Sequence, residues 1–568
     1  MRRGGTATER LYWGGDDPFT HTLITGPTRC GKTATLIKPL IYQILLAKTR
    51  GIQCGLSVIE PKGDVAQFTV DLARELGIAV YHLDPTSSNS DKINLMKGPT
   101  DDVAEATIAV LKGMFGRQEV FFQLVQELTA RNFIKLLKTN LGDKLDIMTM
   151  LVTLRDKGTL DKNIDMLEKS GKDPELLSFF RNEMQGKLGD DWRKLALGLR
   201  AQIENIVSNE SLRKVITGDS GIDLDKHMAE GGVLAVNTAL GKLRRSGDAF
   251  GQFMAMHLQA ATFRRPGTER TRVPHYLIID EKSRYINPDT EKFLSIAAEY
   301  RVAAIFAIQS FSQLELESGD LSARAMKTAI LSSCRNKICF GGITFDDARH
   351  FANELGMDWS ITRQNTYDGS VVSTIMPKTY RDTESEEHRI RSTDLQDGLP
   401  RFYFVHKLIK DGQPQKPGIV VGDFVPKNWR EIARAVREEN EGRKEKSKPK
   451  DQEPVKGLFS VSRLLEFLKL FRKGGDLALN TDIETNDHLK GGEVQEITPD
   501  IKKQIIAVSN RLDKPKEAFE GSEHKGPERK LVVTEKIETK IETKDVGAKE
   551  VHTKDLEKEL QEKNKNFI

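Results

Sequence analysis

From residue 18 to about residue 95 the chain alternates short, unbroken apolar runs with stretches whose apolar residues recur at helical spacing. The runs at His21–Thr25, Cys54–Ile59 and Ala79–Pro85 are too short for helices and rich in β-branched residues, so they predict strands buried on both faces. Helical patterns starting at Ala34 and running from Val65 to Leu76 separate them. This β–α–β alternation predicts a parallel sheet with right-handed crossovers. Between about residues 100 and 228 the strand signals vanish. Asp102–Met114, Val120–Lys138 and Trp192–Val207 keep helical spacing, which predicts an all-α insertion. Strands then resume at Gly232–Asn237, His275–Ile279, Arg301–Ile308 and Lys337–Gly342. Arg401–Ile409 and Gly418–Val421, parted by Asp411 and Gly412, predict an edge hairpin.

The expected organisation is therefore an N-terminal lead over 1–17, an α/β domain with a parallel-rich central sheet over 18–99 and 229–430, an all-α insertion domain over 100–228, and a tail over 431–568. Segments 437–454 and 510–568 are rich in Lys, Glu, Thr and Asp, with a tandem Ile-Glu-Thr-Lys repeat at 537–544. Such composition buries too little apolar surface to offset ordering entropy and predicts a largely disordered, charged tail or transient helix. One amphipathic stretch, 458–473, interrupts it with a broad apolar face flanked by Arg and Lys. That helix suits a membrane surface, a partner groove or packing against the rest of the chain, and the pattern does not separate these.

Composition narrows the picture only modestly. The 568 residues have a formal net charge of +4, too small to announce a nucleic-acid partner, so any DNA contact must come from local basic patches. Lys242, Arg244 and Arg245 form one such patch; a solvated turn accounts for them equally well. The cysteines Cys30, Cys54, Cys334 and Cys339 lack metal-ligand spacing and are too sparse for a disulfide framework, which points to a reducing cytoplasm. No window reaches the length and apolarity of a spanning helix, so a soluble, cytoplasmic chain is expected.

The chemistry is concentrated at strand ends. Gly26-Pro27-Thr28-Arg29-Cys30-Gly31-Lys32-Thr33 is a complete G-x-x-x-x-G-K-[ST] phosphate-binding loop between a predicted strand and a helix. Glycines let the backbone wrap a phosphate, Lys32 reaches the β/γ-phosphates, and Thr33 can ligate Mg²⁺. The run His275–Ile279 ends in Asp280 and Glu281. Asp280 suits the Mg²⁺ shell and Glu281 the polarisation of an attacking water, so ATP hydrolysis by a motor is favoured over a small-molecule kinase or a switch GTPase. The run Arg301–Ile308 ends in Gln309, whose amide suits a γ-phosphate sensor. Lys62, in Glu60-Pro61-Lys62-Gly63-Asp64, is either a phosphate or interface contact or a turn lysine.

The loop at 26–33, Glu60–Asp64, Asp84-Pro85 with Asn94-Leu95, Asp280-Glu281 and Gln309-Ser310, in that order, resemble the type IV secretion coupling proteins, the TraG/TraD/VirD4-like ATPases of conjugation. The resemblance covers roughly residues 18–425. It implies a RecA-like P-loop NTPase domain carrying the all-α domain. It also implies a homo-hexameric ATPase, using ATP and Mg²⁺, that delivers single-stranded DNA with its bound relaxase to a type IV secretion channel. Recruitment to the cytoplasmic face of the membrane would follow. Family members usually begin with a membrane anchor; with only about 17 residues before the first strand, the expectation is either a separate anchoring subunit or a shorter soluble relative, with the 458–473 helix as a substitute. An arginine acting on a neighbouring subunit's nucleotide is expected from the family; Arg301 is the first choice, a few positions displaced, and Arg335 the second. A nucleotide-dependent docking platform and an FtsK/HerA-like translocase are the alternatives.

Overall fold

The computed structural model describes residues 11, 13–115, 120–186, 189–218, 220–315, 322–366 and 379–447. Its centre is a nine-stranded sheet. Seven of the strands are mutually parallel: β1 (Thr22–Thr25), β2 (Gly55–Glu60), β3 (Tyr81–Leu83), β4 (Val233–Asn237), β5 (His275–Ile279), β6 (Val302–Ile308) and β7 (Asn336–Phe340). A separate hairpin, β8 (Met357–Thr366) with β9 (Thr379–His388), follows. Then come β10 (Tyr403–Lys407), the short pair β11 (Ile409–Lys410) and β12 (Gln413–Pro414), and β13 (Gly418–Val421). Across the sheet the order is β13-β10-β7-β1-β6-β5-β2-β4-β3, with β10 and β13 antiparallel at one edge.

The unbroken apolar runs have a simple reason. Along β6, Val302, Ala304, Phe306 and Ile308 enter one apolar layer while Ile305 and Ala307 enter the other, so neither face tolerates polar residues. One layer lies under α1 (Lys38–Thr49) and α2 (Asp64–Glu75), including Ile41, Leu45, Val58 and Leu72. The opposite layer is continuous with a helical array: α3 (Thr100–Phe115), α4 (Val120–Leu141), α5 (Ile147–Arg155), α6 (Lys157–Ser170), α7 (Pro174–Ser178), α8 (Gly189–Val207) and α9 (Glu210–Ile216). Each large apolar side chain buried there contributes about 1.5–3 kcal/mol. Asp146, Asp156, Asp173 and Asn209 accept backbone N–H bonds that start α5, α6, α7 and α9, which is why the array breaks into short helices. After α10 (Leu224–Glu230) the chain returns to the sheet, then forms the single turn α11 (Leu240–Leu243) and α12 (Arg245–Phe263). α13 (Thr290–Ile296), α14 (Ala323–Ser333), α15 (Phe345–Leu355) and α16 (Trp429–Ser447) complete the elements.

Two expectations need correction. The tail drawn from residue 431 begins too early, because α16 runs to Ser447. Ala433 and Val436 enter the apolar layer beside α2, and Arg434 is held by Glu75 at 2.7 Å. The apolar positions are so few among charges that the pattern reads as solvated. The β8–β9 hairpin was not anticipated either, since its strands are mostly polar and exposed. The stretch 458–473 lies outside the described residues. Among those residues no helix is long and apolar enough to cross a membrane.

Candidate functional site

Parallel strands deliver their carboxyl ends to one edge, and the polar residues singled out at β1, β5 and β6 meet there. β6 lies between β1 and β5, so Gln309 emerges between the phosphate loop and the paired acids. Gly26 N–H, at the start of the loop, donates to Ile308 O at 3.3 Å. Thr28 Oγ1 donates to Gln309 Oε1 at 3.2 Å, and Gln309 Nε2 donates to both Glu281 carboxylate oxygens at 2.8 and 3.0 Å. One amide thus spans from loop to acid. Thr33 Oγ1 lies 3.4 Å from Asp280 Oδ2, in position to donate to it. Lys32, 6% exposed, donates to Gly26 O and to Pro27 O.

The loop's shape depends on backbone freedom at two positions. Gly31 has φ of +120°, and a Cβ there would stand 2.7 Å from Cδ1 of Phe402. Arg29 holds φ of 66° without that freedom. Its side chain and that of Thr28 are exposed, whereas Pro27 and Cys30 are partly buried, and burial raises the Cys30 thiol pKa. Glu281 also adopts a left-handed backbone, φ 53°, which turns the chain sharply after β5. Strain of this kind costs about 1–3 kcal/mol and persists where surroundings over-determine it. Here the Asp280 carboxylate accepts from Glu281 N–H at 3.0 Å and Asp280 N–H donates to Ile59 O at 3.0 Å.

Electrostatically the edge is crowded with buried acids. Burial raises the Asp280 pKa, helped by the Glu281 charge, while Lys32 and Lys62 oppose the shift. Glu60, fully buried at the end of β2, is raised to about 7 chiefly by burial, despite accepting from Lys62 N–H at 2.8 Å. It was not singled out as a site residue, although an acid closing a buried strand is the same signal that marked Asp280. Phe402, which packs on the loop at Gly31, was missed too, because an aromatic at the start of a predicted edge hairpin carries no motif.

Arg301 does not join the site of its own chain, so any action of it would be on a neighbouring copy. It precedes β6, at the opposite edge of the sheet from Gln309, about 25 Å away for a strand of that length. There it pairs with Asp16 at 2.6 Å and covers the Phe19 ring. Arg335 precedes β7 at that same edge, where its N–H donates to Thr20 O. A single apolar strand does not reveal which of its ends carries the chemistry of a flanking arginine.

A cleft of about 590 Å³ opens beside Glu281 and Gln309, lined also by Arg245, Asp248, Gln252 and Arg284. Arg284 faces Asp248 at 3.5 Å. The Tyr285 hydroxyl and Thr238 Oγ1 hydrogen-bond at 2.8 Å, tying the turn after Glu281 to the exit of β4.

These features define a P-loop NTPase fold with a RecA-like, mostly parallel core. Residues 274–400 match the family model described as the TraM recognition site of TraD and TraG. The fold is similar to the bacterial conjugative coupling protein TrwBdeltaN70 in its unbound form, with a TM-score of 0.53 at 15% identity over 72% of this chain and 87% of that one. It is similar as well to the plasmid coupling protein TrwB in complex with ADP and Mg²⁺, at TM-score 0.51 and 16% identity over the same shares. A TrwB complex with a non-hydrolysable ATP analogue gives 0.51 at 15% identity, again over 72% and 87%. No curated protein matches the sequence. The chain thus shares the fold of these coupling proteins and carries, over residues 274–400, a segment similar to TraD and TraG.

Proposed function

We propose that the chain is an Mg²⁺-dependent ATPase that moves single-stranded DNA, with its bound relaxase, toward a type IV secretion channel during conjugation. The observation that carries this reading is the Thr28–Gln309–Glu281 relay, because it joins the phosphate loop to a carboxylate with no other evident task. Lys32 would exchange the Gly26 and Pro27 carbonyls for β- and γ-phosphate oxygens, and the loop N–H groups would hold the remainder. Thr33 and Asp280 are the residues that would hold Mg²⁺, which supplies positive charge to the phosphates. Glu281 would orient and deprotonate the attacking water. Gln309, released from Glu281 when water and γ-phosphate enter, would report their presence through Gln313, whose Oε1 accepts from the Gln309 N–H at 3.1 Å.

DNA contact is supported by the cationic rim at the end of β4. Lys242, Arg244 and Arg245 are exposed, and no carboxylate pairs with them among the described residues. Phosphate backbones bind such groups with strong salt dependence. Assembly as a homo-hexamer, recruitment to the cytoplasmic membrane face and an anchoring partner complete the proposal, as the resemblance implies. The reading is tested by measuring ATP turnover of the full chain with and without a single-stranded oligonucleotide. Turnover stimulated by DNA is expected, and its complete absence in both conditions sinks the motor.

The match described as a TraM recognition site favours a second role, as a platform docking a relaxosome protein. Plasmid transfer supported by Glu281→Gln would select the platform over the motor; loss of transfer selects the motor.

A further inference from the structure

Beside the phosphate loop lies an aromatic pair that the hydrolytic scheme does not use. Phe402 and Phe424 meet edge to face with ring centroids 5.1 Å apart, and Phe424 is 51% exposed. Phe402 stands against Gly31, where any Cβ would meet its ring at 2.7 Å. The segment between them returns to the loop at Gly422, where a Cβ would stand 2.5 Å from Thr35 Oγ1. The pair therefore flanks the start of the helix whose N–H groups face the phosphates. Phe402 is held at φ 71°, a strained backbone for a bulky residue, and the Arg401 guanidinium covers its ring at 4.6 Å.

Exposed aromatic rings next to a phosphate site suit a flat, apolar group attached to phosphate. We propose that Phe402 and Phe424 form the nucleobase subsite, with the base stacked on the exposed Phe424 ring and Phe402 fixing the platform to the loop. This rests on the nucleotide reading given above and specifies where the base goes. Stacking is tolerant of base identity, because every base presents a π-face. ATP and GTP should therefore bind within a few-fold of each other.

Calorimetric titration of the full chain with Mg²⁺, using ATP and inorganic tripolyphosphate separately, tests the assignment. Phe424→Ala should weaken ATP binding about tenfold or more, as loss of a stacked base does, and leave tripolyphosphate affinity within about twofold. Phe424→Trp should restore ATP binding. Equal weakening of both ligands would mean that Phe424 merely supports the loop and would overturn the subsite. Unchanged ATP affinity in Phe424→Ala would overturn it as well. A wild-type chain that binds neither ligand removes the nucleotide reading itself, and the subsite with it.

Discussion

Lys282, the residue after Glu281, is fully buried with no carboxylate partner among the described residues. Its ammonium donates to Tyr285 O at 2.9 Å and lies over the Phe306 ring. Burial lowers its pKa from 10.5 to about 7. At 1.36 kcal/mol per tenfold change in proton affinity, the full depression corresponds to about 5 kcal/mol. The unfolded chain holds this proton up to pH 10.5 and the folded chain releases it near 7, so stability should rise as pH increases between those values. Cys334 and Tyr285, both raised by burial, act in the opposite sense above about pH 9, so the useful window is pH 7 to 9. Within it Lys282 should add about 2 kcal/mol. Lys282→Met keeps the apolar stem, and Tyr285 O still accepts from Asn287 Nδ2 at 3.2 Å, so no orphaned carbonyl results. The lost hydrogen bond is worth only about 0.5–1.5 kcal/mol. Urea denaturation at pH 7 and pH 9 should show the wild-type stability gaining on the variant by about 2 kcal/mol over that interval. Parallel pH profiles for the two proteins would refute the buried-cation account.

Glu60 should behave in the reverse direction: with a folded pKa of about 7 against an ordinary 4.5, its contribution is full below pH 4.5 and lost as pH rises through 7. Glu60→Gln, which still accepts from Lys62 N–H, should remove up to about 3 kcal/mol of that decline in thermal or urea unfolding; an unchanged profile counts against it. Gly31→Ala should destabilise the loop by about 1–3 kcal/mol from φ alone, and the Phe402 contact should abolish nucleotide binding in a titration. The double variant Lys242→Gln, Arg244→Gln should lower the salt slope of single-stranded DNA binding by about 1.4 without changing basal ATP turnover. An unaltered slope would remove the rim from the DNA path.

Much of this architecture was legible because buried parallel strands admit no polar residue until they end. The phosphate loop, Asp280-Glu281 and Gln309 each follow an apolar run, and all reach the same sheet edge. Arg301 also adjoins such a run, but at its amino end, so it stands away from its own chain's site, and sequence adjacency is blind to that difference in edge. Phe402 depends on a contact with Gly31 from more than 350 positions away, which no local pattern encodes. The β8–β9 hairpin and α16 were obscured for a different reason: exposed or sparsely buried elements carry weak hydrophobic periodicity.

The central claim is that binding and hydrolysis are separable tasks, the first held by the loop and the second by Glu281 under the Gln309 amide. The direct measurement compares ATP affinity and turnover in Glu281→Gln and wild type. Affinity within a few-fold of wild type, with turnover reduced about 10²- to 10⁴-fold, is the expected result. Turnover within tenfold of wild type would show that Glu281 does not activate the water, and the account of the site would be wrong.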